Sequence, residues 1–171
     1  MRRAPVSIRR RLSVSVPEMR LADLVGQDRA AALLLRAVAA DRLPHALLFD
    51  GPEGVGKRSA AIGLALALCC PEQPKIGCGT CEVCRRILTG GHPDVRVLAP
   101  ETTQFVVDQA KEVVEAASTR PHEAPARVII IDQADCLHAN AAICLLKTLE
   151  EPLAGDTIVL GDGTFSENVL I

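Results

Sequence analysis

Gly51-Pro52-Glu53-Gly54-Val55-Gly56-Lys57 sets three glycines and a lysine at the spacing of a phosphate-binding loop. Glycines let successive backbone N–H groups curl inward around an anion. A helix that follows aims its positive N-terminus at the same point, and Lys57 reaches the outer phosphates as a point charge. The apolar run Ala46-Leu47-Leu48-Phe49-Asp50 before the loop and the Ala/Leu-rich stretch from Lys57 to Cys69 after it supply the strand–loop–helix context the motif needs. One position departs from the pattern. A Ser or Thr belongs after the lysine, where its hydroxyl takes Mg²⁺, and this chain has Arg58. Ser59 comes next, but one residue along a helix turns a side chain by about 100°, so it is not expected to replace the missing ligand. Mg²⁺ binding should be weak, with Arg58 a fixed positive charge in its stead.

A second candidate lies at Val128-Ile129-Ile130-Ile131-Asp132, a β-branched run that ends in a carboxylate. Such runs are central parallel strands buried on both faces, and an aspartate at the end of one can hold a metal beside bound phosphates. Gln133 follows it. An amide cannot take a proton from water as a carboxylate can. With Arg58, this makes two departures against hydrolysis. ATP binding is therefore expected to be weak or unproductive, and the pair Asp132 and Gln133 is expected to be a degenerate catalytic end. Asp135, beyond the strand, is not expected to reach the same water.

Cysteine supplies the third chemistry. Cys78, Cys81 and Cys84 form two overlapping C-x-x-C steps, which place three thiolates on one tight knuckle; Cys69 or Cys70 folds back to supply a fourth. Four thiolates close a tetrahedral Zn²⁺ site, which makes it structural rather than catalytic. Cys136 and Cys144 fall in apolar helical surroundings and read as small buried residues. His45 and His92, each beside a proline, read as loop residues rather than ligands.

The elements that must position these groups alternate along the chain. Helical spacing runs from about Asp28 to Asp41, from Lys57 to Cys69, from Val107 to Ala117 and from Ala139 to Glu150, with a short helix at Cys84 to Leu88. Strand-like runs lie at 46–50, 95–98, 128–132 and 157–160. Alternating strands and helices imply an α/β domain, a parallel sheet with helices on both faces. Aromatic residues are only 2% of the chain, with no Trp or Tyr, so base recognition by stacking is not expected. The formal net charge of −2 excludes a chain-wide field for DNA, and no run is long and apolar enough for a bilayer, so no membrane partner is expected. Seven cysteines without a secretion signal point to a cytoplasmic protein and to metal rather than disulfides. Arginines crowd residues 1–20, which read as a disordered leader or a mis-called start ahead of Met19.

Four segments together resemble the AAA+ domain of bacterial DNA polymerase III clamp-loader subunits: Val25-Gly26-Gln27, Gly51 to Lys57, the cysteine knuckle running into Gly91-His92-Pro93-Asp94, and Leu145-Leu146-Lys147-Thr148-Leu149-Glu150-Glu151-Pro152. The resemblance covers about residues 21–160 and implies a three-layer P-loop NTPase fold with the zinc knuckle, residues 69–84, inserted. Family spacing implies Cys69 as the first ligand, with Cys78, Cys81 and Cys84. It also implies that Val25 and Gln27 lie on the adenine side of the nucleotide. Arg58 and Gln133 place the chain on the delta-prime side of the family, away from the hydrolysing gamma/tau subunits. That implies a replication role, helping to load the sliding clamp onto primed DNA with delta and gamma/tau as partners. The alternatives are a working gamma/tau-type ATPase and a zinc-dependent interaction module without nucleotide. Residues 161–171 do not match what the family carries after the fourth strand, so the chain reads as truncated before the fifth strand, the lid and the collar, with an atypical tail.

Overall fold

The computed structural model of the protein describes residues 19–100, 105, 107–150 and 156–161. Their order is a 3-10 turn (Leu21–Asp23), α1 (Asp28–Ala39), β1 (Ala46–Phe49), α2 (Lys57–Cys69), α3 (Glu82–Leu88), β2 (Val95–Leu98), α4 (Val107–Ala117), β3 (Arg127–Ile131), a 3-10 turn (Ala134–Cys136), α5 (Ala139–Glu150) and β4 (Asp156–Gly161). Every expected helix and strand is present. Two boundaries move for local reasons. The first helix stops at Ala39 because Asp41 is left-handed, at φ 52°. The knuckle helix starts at Glu82 because Cys81 caps it, its sulfur accepting from the Cys84 amide.

The four strands form one parallel sheet in the order β1-β4-β3-β2. Period-2 alternation divides the side chains between two cores. Leu47, Phe49, Val128, Ile130 and Val159 face the layer built by α1, α2 and α3. Ile129, Ile131 and Ile158 face α4 and α5. The result is a three-layer α/β/α arrangement. All five residues of β3 are buried, as a central strand in such a sandwich requires.

α2 is apolar nearly all round, and Ala61 through Ala67 are all buried. It lies against the sheet on one side and under the chain entry on another. At Gly63 a Cβ would come within 2.6 Å of the Met19 carbonyl oxygen and 2.9 Å of the Leu21 nitrogen, so only glycine lets that segment cross. Met19 and Leu21 are buried, and Arg20 pairs with Asp23. The folded part thus reaches back to Met19, two residues before the expected boundary. Residues 1–18 and 162–171, and with them most of the expected leader and tail, lie outside the described residues.

Candidate functional site

The strand register aligns the C-terminal ends of β1, β4 and β3: Phe49 lies beside Gly161, and Leu160 beside Ile131. The glycine loop leaves β1 and Asp132 leaves β3 at that same edge. In open α/β sheets this is where ligands bind. A cavity of about 450 Å³ opens there, walled by Gly54, Gly56, Lys57 and Ser59 on one side and by Asp132 and Gln133 on the other. Gly54 and Gly56 have φ of 81° and 101°, the left-handed region that lets the loop close around an anion. Lys57 is folded onto its own loop, its Nζ donating to the carbonyls of Gly51 at 2.5 Å and Pro52 at 2.9 Å. A phosphate would have to draw it from these oxygens.

Arg58 reaches across the cavity. Its Nη1 donates to Asp132 Oδ2 at 3.0 Å, forming an ion pair whose partners are 32% and 21% exposed. The chain's departure at residue 58 and its acidic strand end are therefore a single feature. The guanidinium takes up the carboxylate that would otherwise hold a metal. By the chemistry of this donor set the pocket does not fit Mg²⁺: the hydroxyl position is an arginine, and the strand-end carboxylate is already paired with it. Gln133 is left-handed at φ 59°, exposed, and on the cavity wall, and its amide cannot act as a general base.

Two details add to the sequence reading. Asp135 does line the same cavity as Asp132, because the 3-10 turn Ala134–Cys136 folds the chain back over the strand end. A D-x-x-D spacing across a tight turn was the signal available for it. On the base side, Gln27 lines a slot with Leu24, Leu34, Phe49, Val55 and Ala60, whereas Val25 does not, being 95% exposed. The chain turns at Gly26, φ 75°, and swings Val25 out. The slot has only about 50 Å³ free, far less than the phosphate cavity.

The second site is the cysteine cluster. Cys70, Cys78, Cys81 and Cys84 bring their sulfurs within 4.8 Å of one another, with 3.6 Å between Cys70 and Cys78, 3.9 Å between Cys70 and Cys81, and 3.8 Å between Cys78 and Cys84. Four sulfurs at ~2.3 Å from a tetrahedral zinc are about 3.8 Å apart, so the donor set fits that ion. The sulfur that completes this cluster is that of Cys70, where family spacing implied Cys69. The physical reason is the helix end. Cys69 is the last residue of α2 and faces inward, its thiol donating to the Ala126 carbonyl at 3.6 Å. Burial, with Asp94 and Cys70 nearby, pushes that thiol up to about 12. Cys70 has left the helix in extended conformation and turns toward the knuckle.

Amides orient the ligand sulfurs, as outer contacts do around metals. Cys70 accepts from the amides of Gln73 at 3.3 Å and Cys78 at 3.4 Å, and Cys81 accepts from that of Cys84 at 3.4 Å. Burial alone would raise the Cys78 thiol, but the amides of Cys81 and Thr80 outweigh it and bring it down to about 6. Gly77 pins the knuckle to α2: with φ 81°, a Cβ there would lie 2.8 Å from Leu66 Cβ and 2.9 Å from its carbonyl carbon. Gly77→Ala combines left-handed strain with a backbone collision, and should cost about 2–4 kcal/mol, read as a lower denaturant midpoint at unchanged m-value.

Beneath the knuckle the Gly91-His92-Pro93-Asp94 segment is structural. Asp94 is fully buried and accepts from the amides of His122 at 2.6 Å, Glu123 at 2.8 Å and Ala124 at 3.0 Å, with Arg127 Nη2 at 3.8 Å. Arg127 in turn donates to the carbonyls of Ala116, Thr119 and Arg120. His92 is buried, its Nδ1 accepting from the Asp94 amide at 3.2 Å. Its Nε2 stands 3.3 Å from Glu123 Oε1, close enough for an ion pair but too poorly aligned for a hydrogen bond. Burial pushes this imidazole below its usual value despite the pull of Glu123.

The chain matches known proteins along most of its length. A family model described as DNA polymerase III, delta subunit, matches residues 26–168. The chain is 40% identical over 126 residues to DNA polymerase III subunit delta' of Bacillus subtilis, covering 74% of this chain and 38% of that protein. It is 39% identical over 119 residues to subunit delta' of Pseudomonas aeruginosa, covering 68% and 36%. It is also 35% identical over 134 residues to subunit tau of Bacillus subtilis, covering 78% and 24%. It thus spans well under half the length of these relatives. Among solved structures, a DNA polymerase III gamma subunit-related protein from Thermotoga maritima shares the fold, with a TM-score of 0.55 and 18% identity over 77% of this chain and 38% of that one.

Proposed function

The chain belongs to the DNA polymerase III delta-subunit family, and from that premise we propose that it is the nucleotide-site region of a delta-prime-type clamp-loader subunit that does not hydrolyse ATP. Its family and its likeness to delta' and tau subunits support a clamp-loader context. In this reading the subunit works with delta and gamma/tau partners to put a sliding clamp on primed DNA, and it serves there as a fixed member rather than a motor. One observation carries the non-hydrolysing part: the Arg58–Asp132 ion pair at 3.0 Å, with Gln133 beside it where a base is needed. A bound nucleotide would be held by the amides of Gly51 to Gly56 and by Lys57, and these residues would do no more than bind and orient its phosphates. The four thiols of Cys70, Cys78, Cys81 and Cys84 would hold Zn²⁺, which ties α2 to α3. No described helix is long and apolar enough to cross a membrane.

The test uses the full-length protein that carries this chain. Mixed with delta and gamma/tau subunits, it should co-elute with them as one assembly. Alone, with ATP and Mg²⁺, it should turn over well below about one per second, the low end for enzymes. Turnover at or above that rate would overturn the non-hydrolysing reading. Failure to join the assembly would overturn the clamp-loader reading.

A further inference from the structure

We infer that the Arg58 guanidinium, which reaches across to Asp132, takes the place of the divalent cation, so that the loop binds a nucleoside polyphosphate without metal. The inference rests on the nucleotide-site reading above and adds to it the form in which the ligand is bound.

The argument is one of position and charge. Arg58 is the second residue of α2, where a metal-binding hydroxyl would stand, and it spans to the carboxylate at the end of β3. Both cation-holding positions are thereby used by one side chain. A divalent cation drawn to Asp132 would have to displace the guanidinium and then sit beside it, like charge against like charge at ion-pair distance. The other carboxylates on the cavity, Glu53 and Asp135, are exposed, so they offer a metal only solvated anchorage. The guanidinium itself retains donors. The Arg58 side chain is 32% exposed and gives Nη1 to Asp132, and a planar five-donor group suits phosphate oxygens. Lys57 and Arg58 together face Glu53, Asp132 and Asp135 around the cavity. That balance leaves an excess of one negative charge, so the metal-free affinity should be modest.

A fluorescent ATP analogue titrated at equilibrium tests this. The magnesium-free buffer must contain no chelator, which would strip the thiol site. Wild-type affinity should be the same within about twofold with and without Mg²⁺, and Lys57→Ala should abolish binding in both. Arg58→Thr frees Asp132 and supplies the hydroxyl; it should bind poorly without Mg²⁺ and tighten about tenfold when Mg²⁺ is added. Asp132→Asn releases the guanidinium without restoring a metal ligand, so its metal-free affinity should equal or exceed that of the wild type. Wild-type binding that tightens about tenfold with Mg²⁺, or metal-free binding lost in Asp132→Asn, overturns the inference and leaves the nucleotide site standing. If no Lys57-dependent binding occurs in wild type or Arg58→Thr under either condition, the nucleotide site falls as well.

Discussion

A Cys70→Ser chain is expected to retain almost no zinc after desalting, whereas Cys69→Ser retains about one ion per chain, as four-thiolate sites do. The two residues are adjacent and of one type, so only geometry separates them. Cys70 lies 3.6 Å from Cys78 and 3.9 Å from Cys81, while Cys69 is turned into the core toward Ala126. Structural zinc sites bind with apparent free energies of roughly 10–16 kcal/mol near neutral pH, of the order of a whole domain's stability of about 5–15 kcal/mol. Losing one ligand should therefore release the knuckle and expose residues 71–84 to protease. A serine at position 69 keeps a hydroxyl donor for the Ala126 carbonyl, so that variant should lose no more than about 1–2 kcal/mol. Colorimetric zinc release from reduced, denatured protein reads the difference. Zinc retained in Cys70→Ser and lost in Cys69→Ser would reverse the ligand assignment.

Asp94→Ala should lower stability by about 3–5 kcal/mol, the range for breaking a buried, hydrogen-bonded charge site, which for a chain of this size is roughly 10–15 °C in Tm. The carboxylate holds three amides of the 122–124 turn and faces the buried Arg127, and alanine would free the turn from this anchor and leave the guanidinium without its buried counter-charge. The pH dependence carries the sign. Burial alone would raise this carboxyl, but the three amides, helped by His92, outweigh it and hold it below its ordinary value. A group whose folded value is depressed contributes its full stability above its unfolded value near 3.9, and loses it as pH falls through the folded value. The gap between wild type and Asp94→Ala should therefore be constant above about pH 5 and shrink below about pH 4. A gap that widened on acidification would show that the cradle does not act through the ionised carboxylate.

The sequence disclosed the fold well because its signals were local. The β-branched run at 128–131 could only be a central strand, and strand, glycine loop and helix at 46–69 could only be read together. What it hid depended on where side chains point. Cys69 and Cys70 differ by one step at a helix end, and spacing cannot tell which of them leaves the helix axis. Asp135 reached the cavity through a 3-10 turn, whose short return carries no hydrophobic period. Val25 was turned outward by the left-handed Gly26. The Arg58–Asp132 contact joins residues 74 apart in sequence. Arg58 was visible as an oddity and Asp132 as an ordinary strand-end carboxylate, but their pairing emerged only when the sheet brought β3 opposite the start of α2.

The strand order has a consequence for how the protein comes to be made. β1 has no backbone pairing with β3; each is paired to β4, whose residues are the last to be synthesised among those described. Until 156–161 leave the ribosome, the growing chain holds β1, which bears the glycine loop, as an unpaired strand apart from the β2–β3 pair, which bears the acidic end. Long-range parallel pairing is slow because distant segments must first be brought together, so β4 insertion should be the late, rate-limiting step. The knuckle closes within residues 70–84, so a metal bound there would let it fold early, as a local nucleus that steadies α2 while the chain waits for β4.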